Sequence, residues 1–585
     1  MKKLLKRLCS AMVAAVMVMT MAPAAFAAGG GAQFQNGPYL LAPKTNSMVV
    51  VWESTEKVSA TIAYGTDESK LCDPIKVEID ADAPDFKGSK MNLFHYKLDN
   101  LTPGTRYYYE VKLEGGATCK ASFKTLSEKP DQIRLITLSD SHIFATRAEL
   151  DQAIKEFDPD LLLHCGDMVE GTGAQAEQFS FWFQGKVEND YIHSYPVVYS
   201  SGNHDQGGVY FNTYVYSIQD EEYGAEVEGD SSFNYAGLHI ITMNSNPWGL
   251  FQMNSEATGQ KADAATIKTI DNAMNWLKKD LATDAAKNAD FRLIFMHHPV
   301  SDAYTKRYIP AVIEPGKVDL LLSGHTHSYA RAVSSNPAVG AGTIYLTHQD
   351  ARTYNKKGDF FYITSTPGSG VLDVKNYGAT AAGQDSKVAN ETLVAKDKQQ
   401  LSWSDISITP SEVLYNGEVT VTAKVTNNGK GLAAAVIPVV DNGTTRYLYK
   451  FEDGIVTLDP GKSATLTGTL RMEKLGTHTL KLADKTASVN VKYRPATFDY
   501  TNIRTQQGNG KTSDMNSNIL HIKADVVNIG NDAGTGTAEF KVNGVTVGTR
   551  QYTLKSGESQ TAEFAYTFNK AGKYEVTIGD RKSVV

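Results

Sequence analysis

Residues Leu321–Arg331 read LLSGHTHSYAR. An apolar run stops at Gly324, and His325 and His327 follow with one residue between them. The run has the length of a buried strand, and a glycine ends it. Two imidazoles at a strand end suit a metal if further ligands arrive from other strands. The same grammar recurs upstream. RLITLS runs into Asp140 and His142, and DLLLHC into Gly166-Asp167. VVYSS runs into Gly202-Asn203-His204-Asp205, and RLIFM into His297-His298-Pro299. In open α/β sheets, sites are built beyond the carboxyl ends of strands.

Helical patterns separate these strands. Thr146-Arg147-Ala148-Glu149 is a capping box, followed by an apolar face of Leu150, Ala153, Ile154 and Phe157. ADAATIKTIDNAMNWLKKDLA has helical period and precedes RLIFM. Strands alternating with helices predict an α/β layered domain over residues 131–396. The flanks read differently. Residues 33–127 carry short β-branched and aromatic runs, SMVVVWES, ATIAYGT and RYYYEVKLEG, with turns between them, and predict a β-sandwich. Beyond Leu401 the chain is β again and repeats itself. VTNNG at Val425–Gly429 matches VVNIG at Val526–Gly530, and LGTHTLKLADK at Leu475–Lys485 matches AGKYEVTIGDR at Ala571–Arg581. The offsets, 526 − 425 = 101 and 571 − 475 = 96, are the size of one immunoglobulin-like sandwich. Two Ig-like modules are expected, over 401–493 and 496–585.

The ordered set D-x-H, GD, GNHD, HHP and GHTH resembles the calcineurin-like metallophosphoesterases, whose core is an α/β/β/α sandwich. Within that family, GPYLLAPKTNSMVVVWES and LDNLTPGTRYYYEV are similar to the fibronectin-like N-terminal domain of purple acid phosphatases. The resemblance implies two divalent metal ions of the Mn, Fe or Zn kind. Asp140, His142 and His327 would hold one, Asn203, His297 and His325 the other, and Asp167 would bridge them. It implies attack on a phosphate ester by a metal-bound hydroxide, with His204 as proton donor to the leaving oxygen. Asp205 is expected to orient the His204 ring. Within HHP, His298 is expected to support His297. Arg331 either meets a phosphate oxygen or pairs with a carboxylate. The chain departs from the purple enzymes at two places. It has His142 where they have glycine, and Glu170 where they have the tyrosine that gives the colour, so the tyrosinate colour is expected to be absent.

Met1–Ala27 combines Lys2, Lys3, Lys6 and Arg7, the apolar run Leu8–Met21 and Ala25-Phe26-Ala27. That is a signal peptide of bacterial style, so a secreted, extracellular protein is expected, with no membrane span. Formal net charge is −7, and removing four basic leader residues gives −7 − 4 = −11. So acidic a chain argues against binding nucleic-acid polymers. Cys72 and Cys119 could pair in an oxidising exterior, and Cys165 reads as a buried core thiol. The leading expectation is an extracellular phosphomonoesterase acting on a small phosphorylated substrate, with a phosphodiesterase or nucleotidase as the alternative. The rival of another class is a surface-binding or adhesion protein on a non-catalytic scaffold. In either case the C-terminal repeats could make non-covalent cell-surface or polysaccharide contacts.

Overall fold

In the computed structural model of the chain, the strand Met48–Ser54 is buried along its whole length and shows no alternation. Both of its faces are covered, which is why its sequence, MVVVWES, is apolar almost throughout. One face, with Val50 and Trp52, lies in the core of an N-terminal sandwich, where Trp52 stacks on Phe94 at 5.3 Å. The other, with Val49 and Val51, joins Tyr39 and Leu41 in the core of the following domain. The sandwich pairs Phe34–Leu41, Met48–Ser54 and Leu93–Leu98 in one sheet, and sets Ala60–Gly65, Arg106–Leu113 and Thr118–Lys124 in the other.

The structure describes residues 25–26, 31–80, 85–86, 89–142, 153–154, 156–170, 176–184, 190–205, 211–247, 263–300, 310–313, 317–333, 342–349, 359–378, 390–396, 400–435, 437–448, 456–508, 518–570, 572–579 and 581–584. The capping box at Thr146–Glu149 and most of residues 1–27 lie outside them. Ala25 and Phe26 pair antiparallel with Lys120 and Cys119. No helix among the described residues is long and apolar enough to cross a membrane.

The chain divides into two compact units. The first comprises Met1–Gln400 with Asn427–Ala434 and Thr457–Gly461. Beyond the N-terminal sandwich it contains two six-stranded mixed sheets. One runs Val197–Tyr199, Leu161–His164, Ile133–Leu138, Asp359–Ser365, Val371–Gly378, Asn390–Ala395. The other runs Ser231–Tyr235, Leu238–Thr242, Phe291–Phe295, Leu320–Ser323, Ile344–Thr347, Ala330–Val333. Leu135 and Leu163 of the first sheet share a core with Phe295 and Leu322 of the second. Alternation then puts Ile136 and Leu138 on the opposite face, with Ala153, Ile154, Phe179 and Phe183. The outer face of the second sheet, with Ile294 and Met296, is covered by Ile270, Ala273 and Leu277 of the helix Ala264–Asp280. Burying each such side chain contributes roughly 1.5–3 kcal/mol. That helix starts where Asp263 accepts the Thr266 amide at 2.7 Å and carries Lys278 and Lys279 in its last turn.

The second unit comprises Leu401–Thr426, Ala435–Val456 and Lys462–Val585 and is β throughout its described residues. The repeat seen in the sequence has a hydrogen-bond counterpart. Asn427 Nδ2 donates to the carbonyls of Gly431 and Leu458, both at 2.8 Å, and its Oδ1 accepts the Gly429 amide. Asn528 does the same with Asp532 at 2.7 Å, Leu554 at 3.0 Å and the Gly530 amide. Asn442 accepts the Thr479 amide as Asn543 accepts that of Glu575. A buried amide side chain is costly unless all its groups are bonded, so these asparagines fix the same turn twice. The segments Asn427–Ala434 and Thr457–Gly461 belong to the first unit, and Leu432 donates its amide to Leu393 O at 2.8 Å. The expected boundary at 401 is therefore crossed by these two segments.

Cys72 and Cys119 are free thiols and do not pair. Cys72 is exposed, whereas Cys119 is buried, and burial pushes its thiol up to about 12.

Candidate metal centre and active site

The parallel strands Ile133–Leu138, Leu161–His164 and Val197–Tyr199 of the first sheet and the parallel pair Phe291–Phe295 and Leu320–Ser323 of the second deliver the five motifs to one place. One donor atom each of Asp140, His142 and His327 lies within 4.8 Å of the others, and the same holds for Asp140, Asp167 and His297. Asn203 joins the second side. Its Oδ1 is 3.1 Å from His297 Nε2 and 2.9 Å from His325 Nδ1. All seven residues expected at the metals are thus brought together.

The backbone is held in an unusual state to achieve this. Asp140, His142, Asp167, His325 and His327 have φ of 52°, 45°, 57°, 72° and 52°. Non-glycine residues in that region cost about 1–3 kcal/mol each. The glycines of the motifs act through close approach. A Cβ on Gly202 would stand 2.0 Å from Asp167 Oδ1, and one on Gly324 would stand 1.9 Å from Ser139 Oγ and 2.2 Å from Asp140 Oδ2.

The donor set fits divalent cations. His142 Nδ1 faces Val169 O at 2.9 Å, so the proton resides there, and the buried Nε2 has no hydrogen-bond partner. His297 Nδ1 likewise faces Cys165 O at 2.9 Å. Its Nε2 then presents a lone pair to Asn203 Oδ1 and, at 3.2 Å, to Asp167 Oδ2. A lone pair facing two oxygens is repulsive unless a proton or a cation stands between them. Without a cation the proton takes that place: burial works against the charge, yet Asp167 and Asp140 hold His297 up at about 9. Burial also works against ionised Asp140, but His327 and His297 keep it below the ordinary range. Burial pulls His325 down to about 4, in the neutral form a metal requires. Mixed carboxylate, amide and imidazole donors suit borderline ions.

Support for these ligands comes from neighbouring side chains and backbone carbonyls. Glu170 Oε2 lies 3.1 Å from His142 Nδ1, and Glu170 O accepts from His204 Nδ1 at 2.7 Å. His298, fully buried, meets Ser245 Oγ at 2.9 Å through Nδ1, and its ring lies 4.4 Å from that of His325. Asn246 Nδ2 donates to Ser201 Oγ at 2.8 Å. Ser245 and Asn246 therefore brace the motif loops through His298 and Ser201. His164 is bonded at both ring nitrogens, to Ser141 Oγ and the Gly166 amide, as a strand residue behind the site.

Two expectations are corrected. Asp205 does not orient His204. Its buried carboxylate accepts the amides of Asp167 at 2.7 Å, Met168 at 2.8 Å, Val169 at 3.3 Å and Gly202 at 2.8 Å. It clamps two motif loops together, and the His204 ring is oriented by the Glu170 carbonyl instead. Arg331 takes its second alternative. Its guanidinium pairs with Asp459 Oδ1 at 3.0 Å and reaches the Glu391 carbonyl.

His204 itself is half-exposed above the cluster. Its amide donates to Asp167 Oδ1 at 2.9 Å, its Nε2 is 4.0 Å from Asp167 Oδ2, and its ring sits edge-on to His142 at 5.0 Å.

Carboxylates and imidazoles at the ends of parallel strands, backed by the two-sheet core, define a metal-dependent phosphoesterase. Residues 133–329 match the calcineurin-like phosphoesterase family and residues 38–125 the purple acid phosphatase N-terminal domain. Those two regions of the chain are accordingly similar to a calcineurin-like phosphoesterase domain and to a purple-acid-phosphatase-type N-terminal domain. No curated protein matches it. Among solved structures, PhoD aligns at 12% identity and a TM-score of 0.47, over 63% of this chain and 92% of that one. A conserved uncharacterized protein of Streptococcus pneumoniae, a predicted phosphoesterase, aligns at 9% and 0.22 over 45% and 98%. Zinc-bound Vps29 of Entamoeba histolytica aligns at 11% and 0.24 over 45% and 100%. Scores this low carry nothing about function.

Proposed function

We propose that the chain is a secreted phosphomonoesterase with two divalent metal ions, one held by Asp140, His142 and His327, the other by Asn203, His297 and His325, with Asp167 between them. The observation that carries this is a pair of donor groups that share Asp140, one with His142 and His327 and the other with Asp167 and His297, with His142 Nε2 buried and unpartnered beside them. When bound, two such ions supply a nucleophile active near neutrality and neutralise the phosphoryl oxygens. The protein's own part is to fix the donors and to handle the leaving oxygen. His204 Nδ1 donates to Glu170 O, so delivering a proton from Nε2 requires the doubly protonated ring. Asp205 holds the Asp167 and Gly202 loops in register, and Glu170 fixes both His142 and His204. In this reading residues 1–27 are a leader, 33–127 and 131–396 form the enzyme, and 401–493 and 496–585 are Ig-like modules.

The test is hydrolysis by the mature, metal-stripped protein reloaded separately with Mn, Fe or Zn, offering an aryl phosphate monoester beside the matching diester. Metal-restored preference for the monoester supports the proposal. Preference for the diester replaces it with a phosphodiesterase, and cleavage of neither with any metal overturns it.

A further inference from the structure

The segment Asn212–Tyr216 is a turn of π-helix that continues into the α-helix Ser217–Tyr223. Such turns are rare and recur at functional sites. This one is held by the N-terminal domain. Tyr39 Oη donates to the Tyr214 carbonyl at 2.8 Å, so a side chain of the sandwich bonds the backbone of the irregular turn. Tyr214 Oη donates to Glu53 Oε2 at 3.0 Å, and Asn36 Nδ2 reaches the same oxygen. At the far end of the helix, Glu222 is paired with Lys97 at 2.9 Å and Lys44 at 3.2 Å, both from the sandwich.

The same helix also holds the strand that leads to Asn203. Gln219 accepts the Tyr199 amide at 3.0 Å and donates to its carbonyl at 2.9 Å, taking the place of a missing neighbour strand. Tyr216 Oη accepts the Ser201 amide at 2.7 Å, two residues before Asn203. Everything in this chain of contacts is buried except the far-end ion pairs.

We propose that Tyr216 is a positioning residue for the Gly202–Asp205 loop, and that the N-terminal domain sets its position by gripping the helix through Tyr39, Asn36 and Glu53. The N-terminal domain is then part of the site's framework and not a separable module. The consequence for turnover rests on the phosphoesterase reading; the mechanical link does not.

The experiment compares Tyr216→Phe, Tyr39→Phe and Tyr109→Phe in the full chain. Tyr109 Oη crosses the same domain boundary to His193 O at 2.8 Å without touching the helix, and serves as the control. Amide hydrogen exchange is read on a peptide covering residues 199–205. Tyr216→Phe and Tyr39→Phe are expected to speed it by about tenfold, with Tyr109→Phe near the parent. Both are also expected to lower kcat about tenfold or more while KM moves within about twofold. Parental exchange in Tyr39→Phe, or an equal rise in Tyr109→Phe, overturns the proposal, because the helix would then transmit nothing specific. Should Tyr216→Phe melt far below the parent, Tyr39→Phe, remote from the loop, decides alone. If exchange behaves as expected but the parent turns over no phosphate ester, only the phosphoesterase reading fails.

Discussion

Asp205 Oδ2 accepts the backbone amide of Asp167 at 2.7 Å, tying the loop that follows one strand to the loop that follows its neighbour. This separates the role of Asp205 from that of His204, its neighbour in sequence. Asp205→Ala would strand buried amides at Asp167, Met168 and Gly202. The expected loss is at least about 3 kcal/mol of folding stability, since each unsatisfied group costs roughly 1–3 kcal/mol. Activity should fall equally on alkyl and aryl phosphates. A variant melting within a degree or two of the parent would show that the clamp matters little.

His204→Ala is expected to behave in the opposite way. Its half-exposed ring supports no fold, so stability should change little. Rate on alkyl esters should drop by about 10²–10⁴, with a much smaller loss on activated aryl esters whose leaving group needs no proton. Equal losses on the two substrates remove His204 from the acid role.

Metal binding can be read without turnover. His142→Ala is expected to lower the bound metal, measured on dialysed protein, by one equivalent. Glu170→Gln keeps the carbonyl that faces His204 but removes the carboxylate beside His142 Nδ1. It should weaken metal affinity by about 10–100-fold without changing the stoichiometry. Unchanged metal content in His142→Ala contradicts the assignment of that imidazole.

A pH prediction can be made away from the centre. Asp220 accepts the Gly229 amide at 2.8 Å, but its Oδ1 is buried with no partner, and burial with Glu228 nearby pushes its pKa up to about 6. A carboxyl raised on folding keeps its proton in the folded state while the unfolded chain has lost it. Stability therefore falls as pH rises from about 4 to about 6, and the penalty remains above that window. Asp220→Asn preserves the acceptor and removes the charge. It should melt higher than the parent at pH 7.5 and no higher at pH 3.5. A lower melting temperature at pH 7.5 would falsify the assignment.

What could be read from sequence alone follows from what residue types encode. The five motifs and their strands were legible because an apolar run ending in a ligand is a local signal. The helix Ala264–Asp280 was legible from its period, and the tandem C-terminal repeat from the turn sequences that hold Asn427 and Asn528. Asp205 was misread because adjacency to His204 suggested a shared task, whereas its carboxylate turns down to backbone amides. The hold on His204 comes from a backbone carbonyl, Glu170 O, which no residue type announces. Arg331 stood open between two partners, and only the fold brings Asp459 to it. The contact of Tyr39 with Tyr214 joins residues 175 positions apart, beyond the reach of any local pattern.

Five of the seven candidate ligands occupy backbone conformations that glycine adopts freely and histidine or aspartate resists. Replacing His142 by glycine at φ 45° would relieve that resistance and destroy the donor. The region thus sets durability against chemistry: optimisation for folding alone would drive these positions toward glycine or asparagine. In the proposed reading, Asp and His at these positions are what a working centre needs and a bare scaffold does not, and a stabilising redesign has to leave those five positions alone.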